Sequence, residues 1–160
     1  MMRDRLTFLA AAGSFILLAG AFLFQIFGYP PCAMCLWQRW PHVVAIAVGV
    51  VALKIKTPLL QWFGALATAV TAGIGAYHSG VERKWWEGPS SCSGGGGLDI
   101  TNLSGADLLS TDGPRLIMCD QVSWEFLTLS MASWNMLFSL ILCALWISAA
   151  LTKAGSSRTV

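Results

Sequence analysis

Cys32 and Cys35 stand two residues apart in the run Pro31-Cys32-Ala33-Met34-Cys35, and Cys92 and Cys119 form a second pair enclosing 26 residues. A C-x-x-C suits two chemistries. It can close into a strained disulfide that exchanges readily, or it can supply half of a zinc site. For an isolated motif the two weigh equally. Here the motif sits where a helix is expected to begin, so free N–H groups and the positive helix end favour a thiolate. Arg39 follows one helical turn after Cys35, where a fixed cation can face the same sulfur. The second pair reads most simply as a staple, worth about 3–4 kcal/mol on the chain-entropy account. Two features tilt against that reading. Cys92 adjoins the glycine run Gly94 to Gly97, which suits a mobile sulfur, and a staple does not explain the first pair.

The elements that must position these sulfurs are legible from charge. The chain is 56% hydrophobic and 11% charged, far below the roughly 25% charge of soluble domains, so lipid is the expected solvent. A net charge of +2 gives no basis for nucleic-acid binding. Leu6 to Phe27, Thr57 to Tyr77 and Phe126 to Thr152 carry no charge, and each reaches the ~20 residues that cross a bilayer. Between Arg39 and Lys54 only fourteen residues are uncharged. That segment spans if it starts near Cys35, with Arg39 at the headgroups, Lys54 and Lys56 snorkelling, and Pro41 in or near its first turns, where a proline is tolerated or bends the helix. The expected architecture is all-α: an antiparallel bundle with spans at about 6–27, 36–54, 57–78 and 124–152, forming one domain over 1–160. The first span is expected to stay, because Gly28-Tyr29-Pro30-Pro31 lacks a small-x-small cleavage pattern.

Four spans put both termini on one side, with Arg3, Arg5, Lys54, Lys56, Lys153 and Arg158 against the single acid Asp4. The positive-inside bias makes that side cytoplasmic. The opposite side carries a short loop at 28–35 and a long one at 79–123. Cys32, Cys35, Cys92 and Cys119 then all face the compartment where disulfides persist, a bacterial periplasm. This location and the nearby Arg39 favour redox over zinc, which needs reduced thiolates, and no metal is expected. In the long loop Trp85-Trp86 reads as an interfacial anchor. Ile100, Leu103, Ala106 and Leu109, with a Ser104/Asp107 capping box, predict a short amphipathic helix on the membrane surface.

Taken in order, Pro31-Cys32-x-x-Cys35-x-x-Gln38-Arg39, then Tyr77-His78, then Cys92, then Cys119-Asp120-Gln121-Val122-Ser123-Trp124-Glu125-Phe126 resemble the disulfide bond formation protein B (DsbB) family over nearly the whole chain. The resemblance implies a bacterial inner-membrane oxidoreductase, monomeric, that reoxidises a DsbA-like periplasmic thiol protein and passes electrons to a quinone (ubiquinone or menaquinone). By motif position, Cys92 would be attacked by the partner thiolate. Cys119 would pass electrons on by attacking Cys32, and Cys35 would be freed to meet the quinone. Arg39 and His78 would hold the quinone. Where some relatives are expected to have an acid before the histidine, this chain has Tyr77, so no carboxylate role is assigned there. The scheme carries a condition: DsbA lies near −120 mV and structural disulfides below about −300 mV, so an ordinary staple would face an uphill gap of roughly 8 kcal/mol. The loop bond must be poised high or be drained by rapid downstream transfer.

Two rival readings remain: a vitamin K epoxide reductase-like enzyme, in which the loop pair precedes the C-x-x-C, and a non-catalytic scaffold stapled by disulfides. Cys143 is expected to pack, and His42 to be an interfacial helix residue. Trp37, Trp40, Trp62, Trp134 and Trp146 are expected in aromatic belts or packing, and Gly73 and Gly75 at close helix contacts.

Overall fold

The computed structural model describes residues 2–89, 92 and 118–152. Four long helices dominate: α1 (Met2–Ile26), α2 (Ala33–Lys54), α3 (Pro58–Glu82) and, after a short hairpin, α4 (Met131–Leu151). All four are long and apolar enough to cross a membrane. Neighbours pack in the cyclic order α1-α2-α3-α4, with α1 closing on α4. The expected surface helix and the glycine tether lie outside the described residues.

The helix ends follow from local chemistry. Cys32 caps α2, its Sγ accepting from Cys35 N, and Ser130 caps α4 by accepting from Ser133 N. Pro58 opens α3, where its missing N–H costs nothing. Because α2 begins at Ala33, Pro41 lies just over two turns inside it, and leaves the Trp37 carbonyl without its helical donor. The fourth helix starts later than the charge-free run suggested. Glu125–Phe126 (β1) and Leu129–Ser130 (β2) pair as a hairpin, turned by Leu127 and Thr128 at φ 51° and 63°, the left-handed pair that a tight hairpin turn requires.

The bundle is polar and small inside, apolar outside. Thr7, Ser14, Gln61, Thr68, Thr71 and Ser139 are buried, while Phe8, Phe15, Ile16, Leu59, Leu66 and Ile141 are exposed. Water would penalise this arrangement, and lipid favours it, since close packing and interhelical hydrogen bonds hold membrane helices together. Trp146 is fully buried and lies flat against Gly64, where a Cβ would fall 2.5 Å from the indole. Gly75 likewise abuts the α4 backbone at Ala132 and Met136, whereas Gly73 faces open space and makes no such contact. Cys143 packs beside Ala65 and Trp146.

At one end of the bundle Arg3 Nη2 donates to the Lys56 carbonyl at 2.7 Å and Lys56 pairs with Asp4 at 3.5 Å. These contacts tie the start of α1 to the α2–α3 turn. The paired cysteines gather at the other end.

Candidate active site

Cys92 and Cys119 are disulfide-bonded, with Cα atoms 5.0 Å apart, and Cys119 N donates to Cys92 O at 3.2 Å. Both are buried in one cluster with Cys32, Met34 and Val81, with Cys35 packed against it. The two pairs, 57 residues apart at their nearest members in sequence (92 − 35), thus form a single sulfur-rich core. Cys32 and Cys35 are not bonded to each other. Their sulfurs lie 2.9 Å apart, with the Cys32 thiol donating to Cys35. Cys32 precedes the first residue of α2. Its hydrogen bond to Cys35, and then burial, push its thiol above the ordinary range.

The two members of the C-x-x-C face different surroundings. Cys32 belongs to the sulfur cluster. Cys35 lines a cavity of about 500 Å³ between α1, α2 and α4. Its wall is mostly apolar, with Leu17, Phe24, Trp124, Phe126 and Trp134, and its polar groups are few: Gln38, Arg39, His42 and Asn135 among them. The volume falls within the range typical of small-molecule sites, roughly 300–1,000 Å³.

Arg39 also lines this cavity. Its Nη1 donates to Gln25 Oε1 at 2.9 Å and its Nη2 to Ala21 O at 3.4 Å, and the guanidinium stands 4.9 Å from the Phe22 ring. Its buried Nε has no partner among the described residues. An apolar slot with an unsatisfied cationic donor and a sulfur at its wall fits a quinone head group, whose ring is flat and whose oxygens only accept. His78 is placed elsewhere. It is buried behind the C-x-x-C, not among the residues lining the cavity, with Nε2 3.5 Å from Cys32 Sγ.

A hydrogen-bonded chain joins the two sides. Asn135 Nδ2 donates to Gln38 Oε1 (2.7 Å) and Thr71 Oγ1 (3.1 Å), and Thr71 donates to the Gln38 carbonyl. Gln38 is thereby oriented with Nε2 toward His78 Nδ1, at 2.9 Å. Since that nitrogen accepts, the proton of the neutral ring sits on Nε2, facing Cys32 Sγ and, at 3.8 Å, Glu82 Oε1. Glu82 Oε2 in turn accepts from Ser130 Oγ. Cys32, Cys35 and His78 place their donor atoms within 4.8 Å of one another, among the described residues one ligand short of a tetrahedral zinc site.

In the sequence Gln38 stands out only as part of the cysteine motif, and Asn135, Thr71 and Glu82 belong to no motif. Asn135 had a signal: it is an amide inside the charge-free run Phe126 to Thr152, and polar groups there need a partner. Glu82 gave no such signal: it is an acid just past the charge-free run Thr57 to Tyr77, yet its side chain is only 6% exposed.

Four membrane-length helices with two cysteine pairs packed at one end, beside an apolar slot, define a polytopic membrane protein built around thiol–disulfide chemistry. The chain belongs to the DsbB family: the family model for disulfide bond formation protein DsbB matches residues 3–149. Relatives named "Disulfide bond formation protein B" include one from Xanthomonas oryzae pv. oryzae, 34% identical over 169 residues and covering 95% of this chain and 90% of the relative. A second, from Polaromonas naphthalenivorans, is 34% identical over 141 residues, covering 82% and 81%. A third, from an Acidovorax species, is 28% identical over 152 residues, covering 89% and 84%. No solved structure matches the chain significantly. Of the two enzyme families weighed on the order of their cysteine pairs, the match is to the one in which the C-x-x-C comes first.

Proposed function

We propose that this protein is a protein-thiol:quinone oxidoreductase that reoxidises a DsbA-like periplasmic thiol protein and delivers the electron pair to a membrane quinone, ubiquinone or menaquinone. The observation that carries the reading is the division of the C-x-x-C, with Cys32 in the sulfur cluster and Cys35 on the cavity wall. The basic end formed by Arg3, Arg5, Lys54 and Lys56 supports an inner-membrane orientation with both termini cytoplasmic and the cysteines periplasmic.

The exchange steps balance as follows. A partner thiolate attacks Cys92 Sγ, and Cys119 leaves as a thiolate. The partner's second thiolate then closes the partner disulfide and releases Cys92. The Cys119 thiolate attacks Cys32 of an oxidised Cys32–Cys35 pair, and Cys35 leaves. Cys92 then attacks Cys119, re-forming the loop bond and releasing Cys32. One dithiol, Cys32/Cys35, now holds the electron pair, the arrangement in which Cys92–Cys119 is bonded and the C-x-x-C is open. His78 Nε2–H is placed to donate to the Cys32 sulfur as it leaves, and Arg39 supplies positive charge at the cavity wall that Cys35 shares. A bound quinone supplies the sink, taking two electrons and two protons as the Cys32–Cys35 bond re-forms.

The test uses the purified full chain, a reduced DsbA-type protein and a short-chain ubiquinone. Turnover read by loss of quinone absorbance, with a mixed disulfide through Cys92 trapped in Cys119→Ser, is the expected result. Absence of both, or a stoichiometric zinc in the purified protein, would overturn the proposal.

A further inference from the structure

His42 is 3% exposed and lines the cavity with Cys35 and Arg39. Its two ring nitrogens are in different situations. Nε2 lies 3.0 Å from Asn135 Oδ1 and 3.5 Å from Thr71 Oγ1, whereas Nδ1 is buried with no hydrogen-bond partner among the described residues. The tautomer follows from the surrounding amides. Asn135 uses Nδ2 on Gln38 Oε1 and Thr71 Oγ1, so its oxygen is what meets His42, and an amide oxygen only accepts. Nε2 therefore carries the proton of the neutral ring. Nδ1 is left as a bare acceptor, and a buried polar atom without a partner calls for one.

Accepting capacity discriminates between the two forms of a quinone head group. A quinone presents carbonyl oxygens, which cannot donate. Its reduced form presents hydroxyls, which can. We propose that His42, held in this tautomer by Asn135, is the residue by which the cavity prefers the hydroquinone, its Nδ1 accepting from a hydroxyl of the reduced head group. The inference rests on the quinone reading above and deepens it. His42 sets the relative affinity of the two forms, and so the driving force for accepting electrons, while Arg39 offers a donor usable by either.

Trp124 and Trp134 line the same cavity, so quenching of intrinsic fluorescence reports occupancy without turnover. The full chain in detergent is titrated separately with a short-chain ubiquinone and with its quinol. His42→Phe keeps a flat ring and removes both nitrogens. It is expected to lose about tenfold in quinol affinity while quinone affinity stays within about twofold, which lowers the midpoint of the bound couple by about 30 mV. Asn135→Leu releases the tautomer and is expected to show the same selectivity with a smaller loss, about threefold. Helical circular dichroism and retention of the Cys92–Cys119 bond identify folded variants, and if His42→Phe does not fold, Asn135→Leu carries the test. Equal losses for both forms, a selective loss of the quinone, or no change overturns the role of His42 alone. A wild-type chain that binds neither form overturns the quinone reading together with it.

Discussion

The two sulfurs of the C-x-x-C stand three positions apart in sequence, yet they face different surroundings. On the Cys32 side the packing is closed: a disulfide, Val81 and Met34 surround the sulfur, and from across the bundle a histidine held by Gln38 meets it. On the Cys35 side there is an apolar space of about 500 Å³ lined by Arg39 and His42, each with a buried ring or guanidinium nitrogen that has no partner among the described residues. Thiol–disulfide exchange needs sulfurs in near contact and little else. A small-molecule site needs room and a few placed polar groups. A helix N-terminus satisfies both demands at once, because residues three apart straddle the first turn while sharing its free N–H groups.

The cysteines themselves carry the largest expected effects. Cys119→Ser should reduce turnover with a protein dithiol by more than about 10³-fold, as expected when an essential nucleophile is removed. The same variant should retain turnover with dithiothreitol, which can attack the C-x-x-C without the loop pair. Cys35→Ser should abolish both. Steady-state rates with the two reductants make the check. If Cys119→Ser loses the small dithiol as well, the loop pair is not a separable relay and the two-sided picture fails.

What the sequence made legible follows the same divide. The spans came from absence of charge, which reports depth in a bilayer directly, and the helices observed begin or end within a few residues of those runs for α1 and α3. The start of α4 was not legible. Phe126 to Ser130 is as apolar as the helix after it, and hydropathy does not distinguish a hairpin from a helical turn. The sulfur pairs were legible as types and spacings. Their surroundings were not, because Gln38 meets His78 across 40 positions and Asn135 across 97. Such contacts depend on helix rotation, and a helix that is apolar on all faces gives no periodicity to fix it. His78 shows the consequence: nothing in its sequence position gives the 3.5 Å approach of its ring to the Cys32 sulfur.

A smaller effect is expected from Arg39→Gln. Loss of a charge-assisted hydrogen bond costs about 1.5–3 kcal/mol, or roughly 10- to 150-fold in affinity. The loss should appear in KM for quinone, with the rate of disulfide exchange between the loop pair and the C-x-x-C unchanged. Single-turnover reduction of the loop bond by excess partner, measured without quinone, separates the two. An equal slowing of exchange would place Arg39 on the Cys32 side of the divide.

The smallest expected effect concerns the Cys32 proton. In the reduced protein its thiol donates to Cys35, and this bond and burial hold it above the ordinary thiol range. The sign is unambiguous: raising pH through the value of a free thiol, about 8.5, leaves Cys32 protonated. Alkylation proceeds through the thiolate, so its rate at Cys32, followed by mass spectrometry of the tryptic peptide, should keep rising beyond pH 9 where a free thiol levels off. Restricted access scales the whole curve and does not move its midpoint, so the profile reads protonation rather than burial alone. Cys35→Ala removes the larger cause and should bring the midpoint part of the way back, leaving the share due to burial. A profile that levels off at or below the free-thiol value in the native chain would mean that the Cys32 side stabilises a thiolate at rest. The proton that His78 is placed to share would then already be committed to sulfur before exchange begins.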